Sequence, residues 1–499
     1  MKKISEKYEE GLQKTGEFGI VEQVQYPIIS VAGLPGVELH EILEYETGEM
    51  GEAFILQNDY VQSLIYSPKA VKVGTKVTRT GRSLSIGVGD VLLGHIIGPL
   101  GWKFSNKDDY KKPETIREIN SGAPGLETRS KIKTPFFTGV SVVDMMIPLG
   151  RGQKELIIGD RKTGKTSFLF TAIKNQISQG TVVVYAAIGR KKSDIKHIQE
   201  FFEAEKLKDF VIVATTSHDS PSLIYLTPYT AMTVAEYFRD QGRDVLIVFD
   251  DLSTHAKYYR EVSLLAKRFP GRDSYPGDIF HAHAKLLERA GNFKHPNDPT
   301  KDVSITALPI VEIVEGDLTG YIATNLMGIT DGHIFFDSNI YYQGMRPAVN
   351  TSLSVTRVGR QAHTTLARSV NHELTSFLAL YEKMQEFSHF GAELTDNVKQ
   401  ILRTGDVIYD FFEQGYNEIL PSEVQMTLFT LIWLRLLDDE SLKNLPEMKK
   451  KLYEAFKAGR EKALFEDLMK SATLNEMLGK VQQNREKLLG LLGGKQEKS

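Results

Sequence analysis

The chain has 499 residues, 41% hydrophobic and 25% charged, with a formal net charge of −3 and no cysteine. A chain of this length exceeds one hydrophobic core and reads as roughly three domains of an ordinary globular protein. The near-neutral balance gives no basic footprint for a nucleic-acid partner, and the missing cysteines exclude disulfides, thiolate catalysis and cysteine-ligated metal sites.

At the start, Met1-Lys2-Lys3 runs into the charged stretch 5–14 without the apolar core of a secretory signal. Ile4, Tyr8 and Leu12 are spaced as one helical stripe, and residues 1–17 form a short leading segment. Over 18–84 short β-rich runs alternate with turns: Gly19-Ile20-Val21, Pro27-Ile28-Ile29-Ser30-Val31, Ala53-Phe54-Ile55-Leu56, Ser63-Leu64-Ile65-Tyr66 and Lys76-Val77-Thr78-Arg79-Thr80. Strands at this spacing predict a small barrel or sandwich.

Over 85–362 the pattern changes to strand-like apolar runs alternating with helical stretches. Val182-Val183-Val184-Tyr185, Phe210-Val211-Ile212-Val213, Val245-Leu246-Ile247-Val248-Phe249 and Ile305-Thr306-Ala307-Leu308-Pro309-Ile310 are continuous apolar runs. Such runs predict strands buried on both faces, as in a mostly parallel sheet covered by helices. From 363 to 499 the period is helical: Val370, Leu374, Phe377, Tyr381 and Met384 share one face, and the polar tail 493–499 is expected to be disordered. The longest apolar run, 426–437, is far short of the roughly 20 residues that span a bilayer, and Arg435 interrupts it, so membrane association is expected only through partners.

Residues 159–166, Gly-Asp-Arg-Lys-Thr-Gly-Lys-Thr, fit the G-x-x-x-x-G-K-S/T pattern of a phosphate-binding loop. The apolar strand Glu155-Leu156-Ile157-Ile158 precedes them and a helical run from Ser167 follows. In such a loop Gly159 and Gly164 let the backbone curl around an anion, and the N–H groups of Asp160, Arg161, Lys162 and Thr163 point inward. Lys165 reaches the outer phosphates, the Thr166 hydroxyl ligands magnesium, and Ser167 continues the helix start. A second feature is the strand 245–249 ending in Asp250-Asp251. A carboxylate at the C-terminal edge of an open α/β sheet can hold the magnesium of a nucleotide; the plainer reading is an Asp capping the next helix.

The stretch Gly152-Gln153-Lys154-Glu155-Leu156-Ile157-Ile158-Gly159-Asp160-Arg161 into Thr163-Gly164-Lys165-Thr166 resembles the phosphate-loop region of the α subunit of F-type ATP synthases. The resemblance continues through Asp250-Asp251-Leu252-Ser253, Pro270-Gly271-Arg272-Asp273-Ser274-Tyr275-Pro276-Gly277-Asp278, Leu286-Leu287-Glu288-Arg289-Ala290 and Ile329-Thr330-Asp331-Gly332-His333-Ile334-Phe335. It then takes in Arg346-Pro347-Ala348-Val349-Asn350 and Leu353-Ser354-Val355-Thr356-Arg357-Val358-Gly359, in family order over some two-thirds of the chain. It implies an N-terminal β-barrel, a central α/β phosphate-loop domain of RecA-like type and a C-terminal helical domain. It also implies ATP and magnesium as ligands, with Thr166 and Asp250 at the metal. Three such subunits would alternate with three catalytic β subunits around a rotating γ shaft, with peripheral-stalk proteins outside. The complex would sit on the cytoplasmic face of a bacterial cell membrane and couple ATP synthesis or hydrolysis to ion translocation. Arg357 matches the arginine that the α subunit lends to the neighbouring β site, and Ser354 supports it.

An absence is as telling. Catalytic β relatives carry a Glu after Gly, following the strand after the phosphate-loop helix, to polarise the attacking water. Here that strand ends in Gly189-Arg190-Lys191-Lys192, and a cation at 190 cannot act as a base. The site is therefore expected to bind ATP without turning it over.

Positions 162 and 190 are usually Gln in α subunits; Lys162 and Arg190 are expected to add positive charge facing polyphosphate. Near the expected adenine pocket the family's Gln-Gly-Gln is Gln414-Gly415-Tyr416: Gln414 keeps one candidate base contact, and Tyr416 either stacks instead or points away. His281 and His283 would diverge on a helix and make no metal site, and Lys449-Lys450-Lys451 reads as a solvated helix face. Other readings are an export-type ring ATPase, which needs the acidic residue that Arg190 replaces, a hexameric RNA translocase, and an F-type relative serving another machine.

Overall fold

The computed structural model describes residues 5–67, 69–104, 110–389 and 395–492. The tail 493–499 and Ile4 of the leading stripe lie outside these residues. The chain has an N-terminal six-stranded antiparallel barrel, a central α/β nucleotide-binding domain and a C-terminal helical domain. Its described residues fall into two compact units. One comprises Met1–Ser130, Gly180–Ile313 and Asp317–Thr330; the other comprises Lys131–Gln179, Val314–Gly316 and Asp331–Ser499.

In the first unit, β1 (Phe18–Gln25), β2 (Ile28–Ala32), β3 (Glu41–Tyr45), β4 (Met50–Leu56), β5 (Val61–Ile65) and β6 (Lys76–Ser83) close in the order β1-β2-β5-β4-β3-β6. Val21, Ile29, Val31, Leu43, Tyr45, Ile65 and Val77 point into its core. β3, which sequence patterning missed, is buried throughout although two of its five residues are glutamates. Glu41 is satisfied by Arg79 Nε at 3.1 Å and by the N–H of Glu38 at 2.9 Å. The helix Glu6–Thr15 lies on β6, where a Cβ added at Gly11 would come within 2.8 Å of Thr78 Cγ2.

The same unit holds five parallel strands in the order His95–Ile97, Phe210–Thr216, Val182–Arg190, Val245–Asp250 and Asp298–Glu312. The continuous apolar runs are buried, as expected of strands covered on both faces. Register sets Ala187 beside Asp250 and Phe249 beside Pro309. It therefore gathers Arg190, Asp250 and Glu312 at the C-terminal edge. The helix Pro221–Asp240 begins with proline at its first turn and the Ser220 hydroxyl as cap.

In the second unit the strand Glu155–Gly159 runs parallel to Gly332–Phe336, which pairs antiparallel with Val349–Thr356. The phosphate-loop helix is Lys165–Ser178. Long amphipathic helices follow, among them Thr365–His389, Asp396–Phe412, Ser422–Trp433 and Leu445–Lys457. On the first of these, Val370, Leu374 and Tyr381 are buried on the expected face, joined by Leu378. Asp144 ties this part together: its buried carboxylate accepts from Thr138 N (2.7 Å), Thr138 Oγ1 (2.7 Å), Gly139 N (2.9 Å) and Gln425 Nε2 (3.0 Å). Lys449 corrects the reading of a solvated basic face. It is 1% exposed, and its ammonium donates to the carbonyls of Asp410 and Glu413, so only its two neighbours meet solvent. Among the described residues, no helix is long and apolar enough to cross a membrane.

Candidate nucleotide site

The buried strand Glu155–Gly159 delivers the chain to a turn that calls for glycine at its two ends. A Cβ at Gly159 would overlap the Phe336 carbonyl, and Gly164, at φ 96°, sits in the left-handed region as it caps the helix. Lys162 also takes a positive φ, 65°, at the exposed crown of the loop. Thr163 Oγ1 donates to the Asp160 carbonyl at 2.8 Å, closing the turn on itself. Asp160 pins the loop from its side chain: its carboxylate accepts from Gly316 N at 3.1 Å and Ser338 Oγ at 2.6 Å. It thus anchors the loop through its side chain and has only its backbone N–H to offer an anion.

Lys165 is 7% exposed, and its ammonium donates to the carbonyl of Gly159 at 2.8 Å and to that of Asp160. It therefore bridges two of the loop's own carbonyl oxygens. Thr166 and Ser167 are exposed at the first turn of the helix, where orphan N–H groups and the macrodipole favour an anion. An oxygen ligand for magnesium is available at Thr166, and the loop fits a polyphosphate.

Arg357 follows the strand Val349–Thr356 and is exposed; its backbone N–H donates to the Asp331 carbonyl at 3.0 Å. Ser354 donates to the Asn350 carbonyl at 2.5 Å and accepts from Phe335 N at 2.9 Å. It therefore stitches the register irregularity that lies between His333 and Phe335 and sets the course of the strand leading to Arg357. Glu155, fully buried beneath this region, is pushed well above the usual carboxylate range by burial; Asp331 adds to the rise, while Arg357 opposes it.

Gln414 lies elsewhere in its own economy of bonds. Its Oε1 accepts from Ser141 N at 2.9 Å, and its Nε2 donates to the carbonyls of Gly139 and Glu418 at 2.7 Å each. At 6% exposure the amide is engaged on both atoms with backbone groups. Tyr416, two residues on, is 60% exposed.

At the strand edge of the other unit, Arg190 departs most from expectation. Its guanidinium donates to Asp250 Oδ1, lies 3.4 Å from Asp251 Oδ2 and reaches Glu312 Oε1 at 3.5 Å. The second oxygen of Asp250 accepts from Tyr185 Oη at 2.7 Å. Asp251 caps the helix Leu252–Leu265 through Thr254 N at 2.6 Å, so the plainer reading of the Asp pair holds for its second member. Asp250, expected to hold magnesium, is already engaged on both oxygens, one of them by a full positive charge. A divalent ion beside that guanidinium would face like-charge repulsion, so these residues as they stand do not fit the metal. Sequence reasoning identified Arg190 but not its partners, which two other strands supply.

Deeper in this unit, His255 Nε2 donates to the Tyr225 carbonyl at 3.1 Å, and its Nδ1 lies 3.1 Å from His283 Nε2. Burial lowers His255 to about 4 and, with the neighbouring ring, holds His283 well below the ordinary range. Among the described residues, no group of three or more His, Cys, Asp or Glu is arranged to hold a metal ion.

A strand, a glycine turn and a helix start of the kind that cradles an anion, following a β-barrel and preceding a helical domain along the chain, define a phosphate-loop nucleotide-binding protein. The ATP synthase alpha/beta family, nucleotide-binding domain, matches residues 139–356, and the C terminal domain of the ATP synthase alpha/beta chain matches residues 363–484. ATP synthase subunit alpha of Helicobacter pylori (strain HPAG1) is 37% identical over 470 residues, 93% of each chain. That of Helicobacter acinonychis (strain Sheeba) is 37% identical over 458 residues, 91% of this chain and 90% of the relative. The chain belongs to the ATP synthase subunit alpha family.

Proposed function

We propose that this chain is the nucleotide-holding, non-catalytic subunit of a rotary ATPase ring and lends Arg357 to the catalytic site of a neighbouring β subunit. The observation that carries the proposal is Arg190. Where a catalytic site needs an acidic side chain to orient water, this chain places a guanidinium paired to three carboxylates. The loop of 159–167 holds the polyphosphate of ATP, with Lys165 on the outer phosphates and Thr166 on magnesium. The bound magnesium nucleotide supplies charge neutralisation and a fixed ligand at the subunit's loop, not turnover.

In phosphoryl transfer the developing charge spreads over the γ-phosphate oxygens, and an arginine supplied from a second subunit stabilises it with a planar, always-charged group. The exposure of Arg357 and its rigid approach through Ser354 support that role. The proposed setting is a ring of three such subunits and three β subunits around a γ shaft, held by peripheral-stalk proteins. Its membrane contact runs through other subunits at the cytoplasmic face of a bacterial membrane, and its turnover is coupled to ion translocation.

The test is ATP binding and turnover by the purified chain, alone and assembled with its β partner, in wild type and Arg357→Ala. Binding without turnover alone, with partner activity that collapses in Arg357→Ala, supports the proposal. Steady turnover by the chain alone would favour a self-sufficient ring ATPase of the export type.

A further inference from the structure

Three carboxylates converge at the ends of adjacent parallel strands, Asp250 and Asp251 after one and Glu312 at the end of the next. The two aspartates are buried, Asp251 at 1% and Asp250 at 6% exposure. Carboxylates so buried must be paired or must bind a cation. Arg190 meets that need from a third strand. One guanidinium nitrogen serves both aspartates, the other reaches Glu312, and Tyr185 takes the remaining oxygen of Asp250.

We infer that Arg190 is the resident cation of the strand-end carboxylates, so that Asp250 serves this guanidinium and takes no divalent ion. A guanidinium is always protonated and is tethered to its strand; it neither dissociates nor exchanges, unlike a metal ion. The cluster therefore keeps its charge balance whatever the metal supply. It has neither a base nor a free anionic ligand to offer a reacting water. The inference rests on the ion pairs alone and stands apart from the nucleotide-binding reading, because the probe is a metal without nucleotide.

The experiment is Mn2+ titration of the purified full chain, free Mn2+ being read by electron paramagnetic resonance. It compares wild type, Asp250→Asn, Arg190→Lys, Arg190→Gln and the double variant Arg190→Gln/Asp250→Asn. Wild type, Asp250→Asn and Arg190→Lys are expected to bind Mn2+ alike, since the cation stays or its partner is removed without freeing the others. Arg190→Gln is expected to gain one site at least about tenfold tighter than any wild-type site, because a full positive charge a few ångströms away has gone. The double variant is expected to lose it.

An Asp250-dependent Mn2+ site in wild type would overturn the inference, as would Arg190→Gln folding normally and gaining nothing. If Arg190→Gln does not fold, the wild-type and Asp250→Asn pair still decides. Equal binding supports the resident cation, and a difference overturns it.

Discussion

The loop of 159–166 and the strand end around Arg190 both manage charge, and they do so in opposite ways. The loop is built from backbone: two glycines shape it, Asp160 and Thr163 pin it, and Lys165 parks on its own carbonyls. The Thr166 and Ser167 positions at the helix N-terminus stay exposed, where an anion is favoured. The strand end is built from side chains whose charges cancel, and a ligand there would have to break an ion pair before making a bond. An open site and a closed one can thus share one family scaffold, and the residue that closes the second is a single arginine.

The largest expected effect tests whether the open side also serves a partner. Arg357→Ala should lower turnover of the assembled α and β subunits by on the order of a thousandfold while leaving ATP binding by this chain unchanged. Steady-state ATPase of the reconstituted complex measures it. Near-normal activity would mean that Arg357 contributes to packing and not to the neighbouring site.

Next comes acid, which probes how closed the first unit is. His255 would titrate at 6.5 when exposed but at about 4 in the buried pair with His283. A depressed histidine means that the unfolded chain binds more protons between those values, so stability is complete above about pH 6.5 and falls as pH drops toward 4. The span corresponds to about 3 kcal/mol for this one residue at ~1.4 kcal/mol per unit. Urea midpoints at pH 7 and pH 4.5 should separate in wild type and draw together in His255→Asn. A midpoint that ignores pH in wild type would break the account of a sealed, neutral pair.

Lys165→Ala follows. Removing an ammonium that would meet phosphate takes away charge-assisted bonds valued at about 2 kcal/mol, or roughly 30-fold in ATP affinity. Calorimetric titration reads it directly. Should affinity instead hold, the loop would be bound through backbone alone.

How much of this was readable in advance follows from where the information lies along the chain. The loop was legible because its chemistry is local: glycines, a lysine and a threonine at fixed spacing, between an apolar strand and a helix. The buried strands were legible for the same reason, as continuous runs from Val182, Phe210 and Val245. β3 was not, because Glu41-Ile42-Leu43-Glu44-Tyr45 looks half polar until Arg79, distant in sequence, neutralises Glu41. The partners of Arg190 were hidden likewise: Asp250 is 60 and Glu312 is 122 residues away, joined only by strand order. Lys449 misled in the other direction, since nothing in a run of three lysines tells which one a helix turns inward.

The smallest prediction concerns a side chain of the open unit that behaves as a closed one. Gln414 has both amide atoms committed, to Ser141 N, Gly139 O and Glu418 O, and it is almost wholly buried. Gln414→Ala should lower stability by about 1–3 kcal/mol, because it leaves backbone groups of Gly139 and Ser141 without their partner. ATP affinity should stay within about twofold, since none of the lost bonds belonged to a ligand. Thermal unfolding and nucleotide titration of the same preparation separate the two effects. If affinity falls while the unfolding temperature holds, Gln414 must release its backbone bonds to meet a base. Tyr416, exposed two residues away, would then be the next position to change.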